Sequence, residues 1–328
     1  MRNTQKLRPN NNKVGLSMHK NALHSTALAV ASSMLLAGAT SPAQATEGGV
    51  SSWPMGIEIY GMGVLPPPGT YGQVFVGNYL ADTLRDDSGD KAADIDLRVT
   101  TVVPRFVWVT EQKVLGGNLG FHALLPLNDI RLNIKNGPHD HKRGIGDAHL
   151  GPVVGFHHSD KFHTAVGVDF VLPTGGQYDK DDLVNLGTNY YTVQAVYAMT
   201  YMDPAGFNAD VRLMHDYNFE NRDTNYQSGR ELHADYTLGW GLGNGWVVGV
   251  GGHAYKQISD DKCSVSNCAA AALVDATDGN RSRTFSIGPA VQYSSNDGWS
   301  LSAKWQDESG VRNRAEGQTY WLKFTMPL

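Results

Sequence analysis

Apolar and polar side chains alternate at every second position through most of this chain, in segments of about ten residues. In one segment Phe207, Ala209 and Val211 share one parity, and Asp210 and Arg212 share the other. A period of two belongs to strands, because successive side chains point to opposite faces. After residue 45 no run approaches the 18 apolar residues of a transmembrane helix. The chain must therefore fold as a soluble sandwich or as a membrane barrel.

The connections between these segments favour the barrel. We count about twelve segments, an even number, as bacterial barrels have. Tight turns are expected at residues 113–117, 158–161, 203–206, 241–245 and 294–297, and long polar loops at residues 84–94, 135–146, 173–189, 220–229, 259–280 and 307–317. This alternation is typical of periplasmic turns and extracellular loops. The sequence predicts an all-β, transmembrane, antiparallel up-and-down β-barrel at residues 69–328, embedded in outer-membrane lipid.

The beginning of the chain predicts export. Five basic side chains and no acidic one stand in the first 45 residues: Arg2, Lys6, Arg8, Lys13 and Lys20. An apolar run over residues 27–39 precedes Ala43-Gln44-Ala45. A membrane anchor is the alternative, but it needs about 20 apolar residues. We expect a signal peptide at residues 1–45, cleaved near Ala45 and before Thr46, and localisation in the outer membrane of a Gram-negative cell.

Charge and the last strand bear on the partners. Removing the leader leaves 22 basic and 32 acidic residues, a balance of −10, which argues against nucleic acid as a partner. The last segment alternates up to the terminal Leu328. Outer-membrane proteins typically end in a strand with a terminal aromatic residue that the barrel-assembly machinery reads. That machinery is an expected partner, although Leu328 departs from the pattern.

The inward parity supplies candidate pore-lining residues. They are Arg98, Arg105, His122, His163, Asp169, Asp210, Arg212, Glu231, His233, Asp235, Tyr255, Lys304, Trp321 and Lys323. Arg98 and Arg105 differ in parity, so placing both in the lumen requires a bulge at Pro104. Two interpretations remain open: a wet lumen, or an internal network of paired charges that holds a narrow barrel shut.

Two further features concern the ends of the barrel. Residues 46–68 are rich in Gly and Pro and longer than a simple tail requires. We predict that they form a periplasmic segment or a plug in the periplasmic mouth. Phe162, Phe207, Trp246 and Trp299 each begin a segment directly after a short turn. They predict an aromatic girdle on the periplasmic side.

Few residues support cofactor chemistry or catalysis. Cys263 and Cys268 are close in sequence, and an exported chain matures in an oxidising compartment, so we expect a disulfide. No serine stands in a Gly-x-Ser-x-Gly setting, and we assign no catalytic residue, metal ligand or cofactor. His139 and His141 form a His-x-His pattern, but a solvated loop explains them better than a metal site.

Four motifs carry a resemblance to a known family. They are Val103-Pro104-Arg105-Phe106, Leu172-Pro173-Thr174-Gly175, Asn185-Leu186-Gly187-Thr188-Asn189, and the run from Glu220 to Gly229. With them the chain resembles the outer-membrane proteins of the meta pathway of phenol degradation, which include a sphingosine-responsive member. The resemblance implies uptake of hydrophobic or aromatic compounds. It also directs attention to Asn221, Thr224, Tyr226, Ser228 and Gly229, as a ligand-entry site or as ordinary loop chemistry.

The sequence therefore predicts a passive outer-membrane channel for small hydrophobic or aromatic solutes, and not an enzyme. A structural or adhesive barrel without a transport role is the main alternative, and an outer-membrane enzyme is a third. Substrate, resting state and oligomeric state are not determined by these patterns.

Overall fold

A computed structural model describes residues 51–176, 178–263, 268, 274, 277 and 279–328. The expected signal peptide and its cleavage site lie outside these residues. The strands are β1 Gly69–Arg85, β2 Lys91–Val114, β3 Gly117–Leu124, β4 Leu127–Ile134, β5 His139–Ile145, β6 Ala148–His157, β7 Phe162–Leu172, β8 Thr192–Tyr201, β9 Phe207–Asn218, β10 Tyr226–Gln227, β11 Glu231–Gly241, β12 Trp246–Gln257, β13 Lys262–Cys263, β14 Arg283–Ser294, β15 Ser300–Arg312 and β16 Arg314–Pro327. In the described ranges, no helix is long and apolar enough to cross a membrane.

The strands close into one barrel. β1 pairs with β2 on one side and with the last strand, β16, on the other, and the second ladder runs from Tyr71 opposite Pro327 to Arg85 opposite Arg314. β3 and β4 follow one another along β2, and β5 and β6 likewise form one wall strand in two parts. The wall thus has twelve antiparallel strands, which confirms the predicted fold. Closure pairs the wall on both sides except at β5, which pairs with β4 alone. Open edges are costly in lipid, so a closed wall is what a membrane barrel requires.

The two faces of the wall follow the predicted parity. In β9, Phe207, Leu213 and Tyr217 are 49%, 42% and 45% exposed on the outside, whereas Asp210 and Arg212 are buried inside. The same alternation ends the chain, where Tyr320 and Leu322 are exposed on the outside and Trp321 and Lys323 are buried. An apolar outside and a polar inside are the arrangement of a membrane barrel and the inverse of a soluble one.

The predicted aromatic residues lie at the short-turn end of the outer wall. Trp246 packs on Tyr293 with ring centroids 5.0 Å apart, and Trp299 contacts Tyr293 and Phe324 at 5.5 and 6.1 Å. Phe207 lies on the same face, 49% exposed. This end also carries both the start of β1 and the end of β16. We assign it to the periplasm, as the short turns require.

Pro104 does not cause a bulge. The ladder between β1 and β2 runs regularly through Val74 opposite Pro104. The interruption lies in the neighbouring strand instead, where Leu125 separates β3 from β4 and donates its backbone N–H to the carbonyl of Pro104 at 3.2 Å. The missing donor of proline is thus accommodated by a break in its partner, without any change of parity.

The regular register corrects one pore-lining prediction. Arg98 keeps the parity of Pro104 and lies on the outer face, with its side chain 63% exposed and 2.9 Å from Asp96. Arg105 faces the interior. The prediction that Arg98 lines the lumen is therefore wrong, because it depended on the bulge.

Three of the six expected long loops are mostly strand. The chain turns at residues 86–90, 135–138 and at Asn313, and β1, β2, β15 and β16 extend beyond the apolar zone up to these turns. The stretch holding His139 and His141 is β5, with both histidines on its exposed face, and is not a loop. The long connections that remain are residues 173–191, 219–230 and 258–282. We call their described residues the extracellular cap.

Candidate functional site

The described part of the N-terminal segment, residues 51–68, lies inside the barrel. Its Trp53, Ile57 and Ile59 are at most 1% exposed and pack in one cluster with wall residues that include Phe75 and Met214. The segment forms no strand and joins no sheet among the described residues. Side-chain packing and hydrogen bonds therefore hold it in the lumen.

Glu58 is the electrostatic centre of this segment. One carboxylate oxygen accepts from Arg105 at 2.7 Å and from Arg212 at 3.2 Å, and the other lies 3.3 Å from the Lys323 ammonium. Glu58 is 3% exposed, so these interactions are little screened by water. Removing one member of such a buried group is strongly destabilising, because the remaining charges stay buried without a partner.

Two wall carboxylates bind the backbone of the segment. Asp235 accepts from the N–H groups of Gly56 and Glu58 at 2.9 and 3.1 Å. Asp210 accepts from those of Gly61 and Met62 at 2.8 and 3.1 Å. The segment has no ladder of its own, so these carboxylates satisfy donors that would otherwise be buried without partners.

Wall cations and aromatic rings contact the opposite groups of the segment. Lys304 donates to the carbonyl of Glu58 at 3.0 Å, and Lys323 to that of Ile59 at 3.2 Å. The Arg212 guanidinium lies over the Trp53 ring at 4.4 Å. Trp53 also meets His149 edge-on, with centroids 5.5 Å apart. The lumen thus holds the Trp53 indole through a cation–π contact with Arg212 and an edge-on contact with the His149 ring.

The other predicted lumen residues form pairs on the same inner surface. His122 lies 2.7 Å from Asp169, whose second oxygen accepts from Arg212 at 3.0 Å. His163 contacts His157 near the periplasmic turn, with their Nδ1 atoms 2.8 Å apart. Tyr255 is buried and accepts from Ser282 at 3.1 Å. Glu231 and His233 lie 3.0 Å apart.

Sequence reasoning missed Glu58, Asp216, Ser51 and Ser52. Asp216 has the inward parity of β9 and could have been read from it. Glu58 is the single acidic residue between Trp53 and Tyr60. A lone charge in an apolar stretch is a feature from which the sequence alone could have indicated a buried ion pair. Its partners could not be read from the sequence, because the alternation fixes a face and not a contact.

The family motif holds the extracellular cap together. Tyr226 donates to Asp261 through its hydroxyl, and the Gly229 N–H and the Gln257 amide donate to the other oxygen of Asp261 at 2.6 and 2.7 Å. Asn280 donates to Asp261 at 3.0 Å. Burial raises the pKa of Asp261 to about 6, while these donated bonds act in the opposite direction.

Asn221 and Ser228 connect the same motif to the preceding loop. The Asn221 amide donates to the Tyr178 hydroxyl at 2.8 Å and its oxygen accepts from Asn189 at 3.0 Å. Ser228 accepts from Tyr190 at 3.2 Å. The Thr224 hydroxyl bonds to the Asn221 carbonyl at 3.4 Å. These bonds join loops, and a role in ligand entry stays a prediction.

A second buried carboxylate anchors the loop at residues 173–191. Asp147 accepts from the Gly175 N–H at 2.8 Å, and from the Thr188 N–H and hydroxyl at 2.7 and 2.9 Å. A Cβ on Gly187 would lie 2.3 Å from the Asp147 oxygen. The family motifs Leu172–Gly175 and Asn185–Asn189 therefore meet at Asp147. In the connection of the cap that follows β12, a disulfide joins Cys263 and Cys268.

The fold and the lumen define a transmembrane β-barrel of the outer-membrane type with an internal segment. The chain belongs to the family described as "Putative MetA-pathway of phenol degradation", whose profile matches residues 81–324. This confirms the family resemblance. No curated protein matches the chain.

Several solved structures of other proteins align with this chain. The COG4313 outer membrane channel from Pseudomonas putida F1 aligns with a TM-score of 0.70 and 16% identity, over 83% of this chain and 100% of that chain. The translocator domain of the autotransporter NalP from Neisseria meningitidis gives 0.45 and 9%, over 96% and 100%. The CymD monoaromatic hydrocarbon channel gives 0.39 and 10%, over 80% and 89%. The first similarity supports the barrel fold.

Proposed function

We propose that this protein is a channel for passive uptake of small hydrophobic or aromatic compounds across the outer membrane, and that its N-terminal segment is a displaceable plug. The observation that carries the proposal is that part of the chain itself fills the lumen. Because residues 51–68 add no strand to the barrel wall, they can leave the lumen without opening a ladder. The similar P. putida protein is an outer membrane channel, which agrees with this function.

The groups that surround the plug support the solute class. Phe75, Val103, Met214 and Trp321 form an apolar inner surface that now packs against the plug. Arg212 and His149 hold the Trp53 ring. When the plug withdraws, an aromatic solute can take the place of this ring and cover the same surface. The charged residues around it keep water in the passage.

Single-channel recording in planar bilayers tests the plug. We expect removal of residues 46–62 to raise conductance severalfold over the full mature chain, because the lumen loses its largest occupant. Retained β-structure in circular dichroism spectra shows that the barrel is intact. A folded deletion variant with unchanged conductance contradicts the plug. Liposome swelling with small aromatic solutes then separates a channel from an adhesive barrel or an enzyme.

Growth and processing test the remaining parts of the proposal. A deletion strain should grow more slowly on aromatic or long-chain substrates, and the intact gene should restore growth. Mass spectrometry of the mature protein should give an N-terminus at Thr46, the product of signal-peptide cleavage. Depletion of the barrel-assembly machinery should leave the chain outside the outer membrane.

A further inference from the structure

We propose that Asp216, Glu231 and His233 of the wall, together with Ser51 and Ser52 of the plug, form a binding site for a divalent transition-metal cation. The site would connect the plug to the barrel wall near the extracellular ends of β9 and β11. Any effect of the metal on release of the plug rests on the proposed plug function, but metal binding itself does not.

Five donor atoms converge at this place. His233 Nε2 lies 3.1 Å from Asp216 Oδ2 and 3.0 Å from Glu231 Oε2, and the three ligand atoms lie within 4.8 Å of one another. The Ser52 hydroxyl is 2.6 Å from the same Asp216 oxygen, and the Ser51 hydroxyl is 3.0 Å from the same Glu231 oxygen. With bonds of about 2.0 Å, a tetrahedral Zn²⁺ separates its ligands by about 3.3 Å. The two distances from His233 Nε2 are close to that spacing.

Neighbouring amides orient both carboxylates towards this point. Gln194 donates to the far oxygen of Asp216 at 2.9 Å, and Asn218 donates to the far oxygen of Glu231 at 2.9 Å. Each carboxylate therefore presents its other oxygen to the shared point. Outer partners that fix the rotation of ligating carboxylates are typical of metal sites.

The charges and donor types fit a transition metal. Carboxylate oxygens and imidazole nitrogens are both ligands of Zn²⁺, and the two negative charges balance one divalent cation. Asp216, Glu231 and His233 are at most 2% exposed, so the cation would be well desolvated. Metal on Nε2 displaces the proton that His233 otherwise shares with the carboxylates, and this proton passes to solvent. Affinity should therefore fall as the pH falls.

Ser51 and Ser52 would link metal binding to the position of the plug. They belong to the N-terminal segment, whereas the other donors belong to β9 and β11. A cation bound to both sets would hold the plug in the lumen, and a chelator would weaken this attachment. By linkage, the cation favours the docked state by the ratio of its affinities for the docked and undocked protein, so the factor by which loss of the two serines weakens binding equals the factor by which the metal strengthens docking.

Zinc binding to the full mature protein in detergent provides the test. After removal of metal with EDTA, equilibrium dialysis with elemental analysis measures Zn²⁺ per chain. We expect one Zn²⁺ per wild-type chain, at least 10-fold weaker binding in Glu231→Gln, and a smaller loss in the double variant Ser51→Ala, Ser52→Ala. The serine variant leaves the wall unchanged and so avoids a folding defect. Glu308→Gln is the matched control, because Glu308 is also a buried lumen carboxylate beside a histidine, His253.

The outcomes separate the metal site from the plug. No zinc on the wild-type chain, or equal binding in Glu231→Gln, overturns the site and leaves the conductance experiment unaffected. Stoichiometric binding that depends on Glu231 but not on Glu308 supports it. If such binding occurs and deletion of residues 46–62 leaves conductance unchanged, the site stands and the plug does not.

Discussion

The plug and the extracellular cap close the same barrel by different chemistry. The plug uses full charges: Glu58 meets two guanidinium groups and one ammonium, and its backbone binds wall carboxylates. The two buried carboxylates that hold the cap, Asp147 and Asp261, instead accept from neutral donors, namely amides, hydroxyls and backbone N–H groups. The cap lies within the matched residues 81–324, whereas the plug precedes them.

This difference determines how each closure can be released. The free energy of plug docking depends strongly on each member of this buried charged cluster, because removing one leaves the others buried without a partner. A single substitution should therefore displace the plug. A carboxylate held by neutral donors loses less when one bond is lost, but its protonation couples the cap to pH. Mutation should therefore release the plug more readily, whereas pH should modulate the extracellular cap.

The largest expected effect is that of Glu58→Gln. It leaves Arg105, Arg212 and Lys323 without their shared carboxylate and should weaken plug docking by about 3–5 kcal/mol. We expect conductance close to that of the deletion variant and rapid proteolysis of residues 51–68. The exposed Glu111→Gln should behave as wild type. Wild-type conductance in Glu58→Gln would show that charge does not hold the plug.

The next effect concerns pH and the cap. The pKa of Asp261 rises from its usual 3.8 to about 6 in the docked loops, which therefore bind the proton more tightly than open loops. Docking should be strongest below about pH 4, weaken as the pH rises through 6, and then stay constant. At ~1.4 kcal/mol per pKa unit, the change is on the order of 2–3 kcal/mol.

Hydrogen exchange of residues 219–230 at pH 4 and pH 7 measures this change. Asp261→Asn cannot ionise, so the protection of these amides relative to their intrinsic exchange rate at each pH should lose its pH dependence in this range. An equal dependence in the asparagine variant would assign the titration to another group.

A smaller effect is expected from Gly187→Ala. Its Cβ would lie 2.3 Å from the Asp147 oxygen and displace the carboxylate from its donors in Gly175 and Thr188. Losing such buried hydrogen bonds costs about 1–3 kcal/mol, so proteolysis of residues 173–191 on intact cells should increase. Gly176→Ala is the control, since a Cβ there meets nothing within 4 Å. Equal proteolysis of the two variants would contradict the anchoring role of Asp147.

The smallest effect should follow Arg98→Ala. Its exposed pair with Asp96 contributes at most about 1 kcal/mol, and the side chain does not reach the lumen. Abundance and conductance should match wild type, whereas Arg105→Ala should raise conductance by loosening Glu58. A conductance change in Arg98→Ala would return this residue to the lumen and require a different register.

Two kinds of prediction from the sequence differ from the structure, each for a physical reason. Polarity marks where lipid ends, but not where a strand ends. The sequence therefore predicts loops at His139, at His141 and around Asn313, where the structure has strands. The strands stay paired beyond the lipid. Both of their faces are polar there, so the alternation of apolar and polar residues that predicts a strand is absent. Arg98 lies outside because Pro104 causes no register shift: β2 keeps one register against β1 and against β3 and β4 on both sides of the proline.

The sequence by itself determined the twelve-stranded barrel and the face of nearly every candidate residue, from Arg105 to Lys323. The physical reason is local: a period of two assigns each side chain to lipid or lumen without reference to distant parts of the chain. Only the tertiary structure decided what fills the lumen. Glu58 meets Lys323 across 265 positions, and no local pattern records a contact made through space between a segment without a sheet partner and the wall around it.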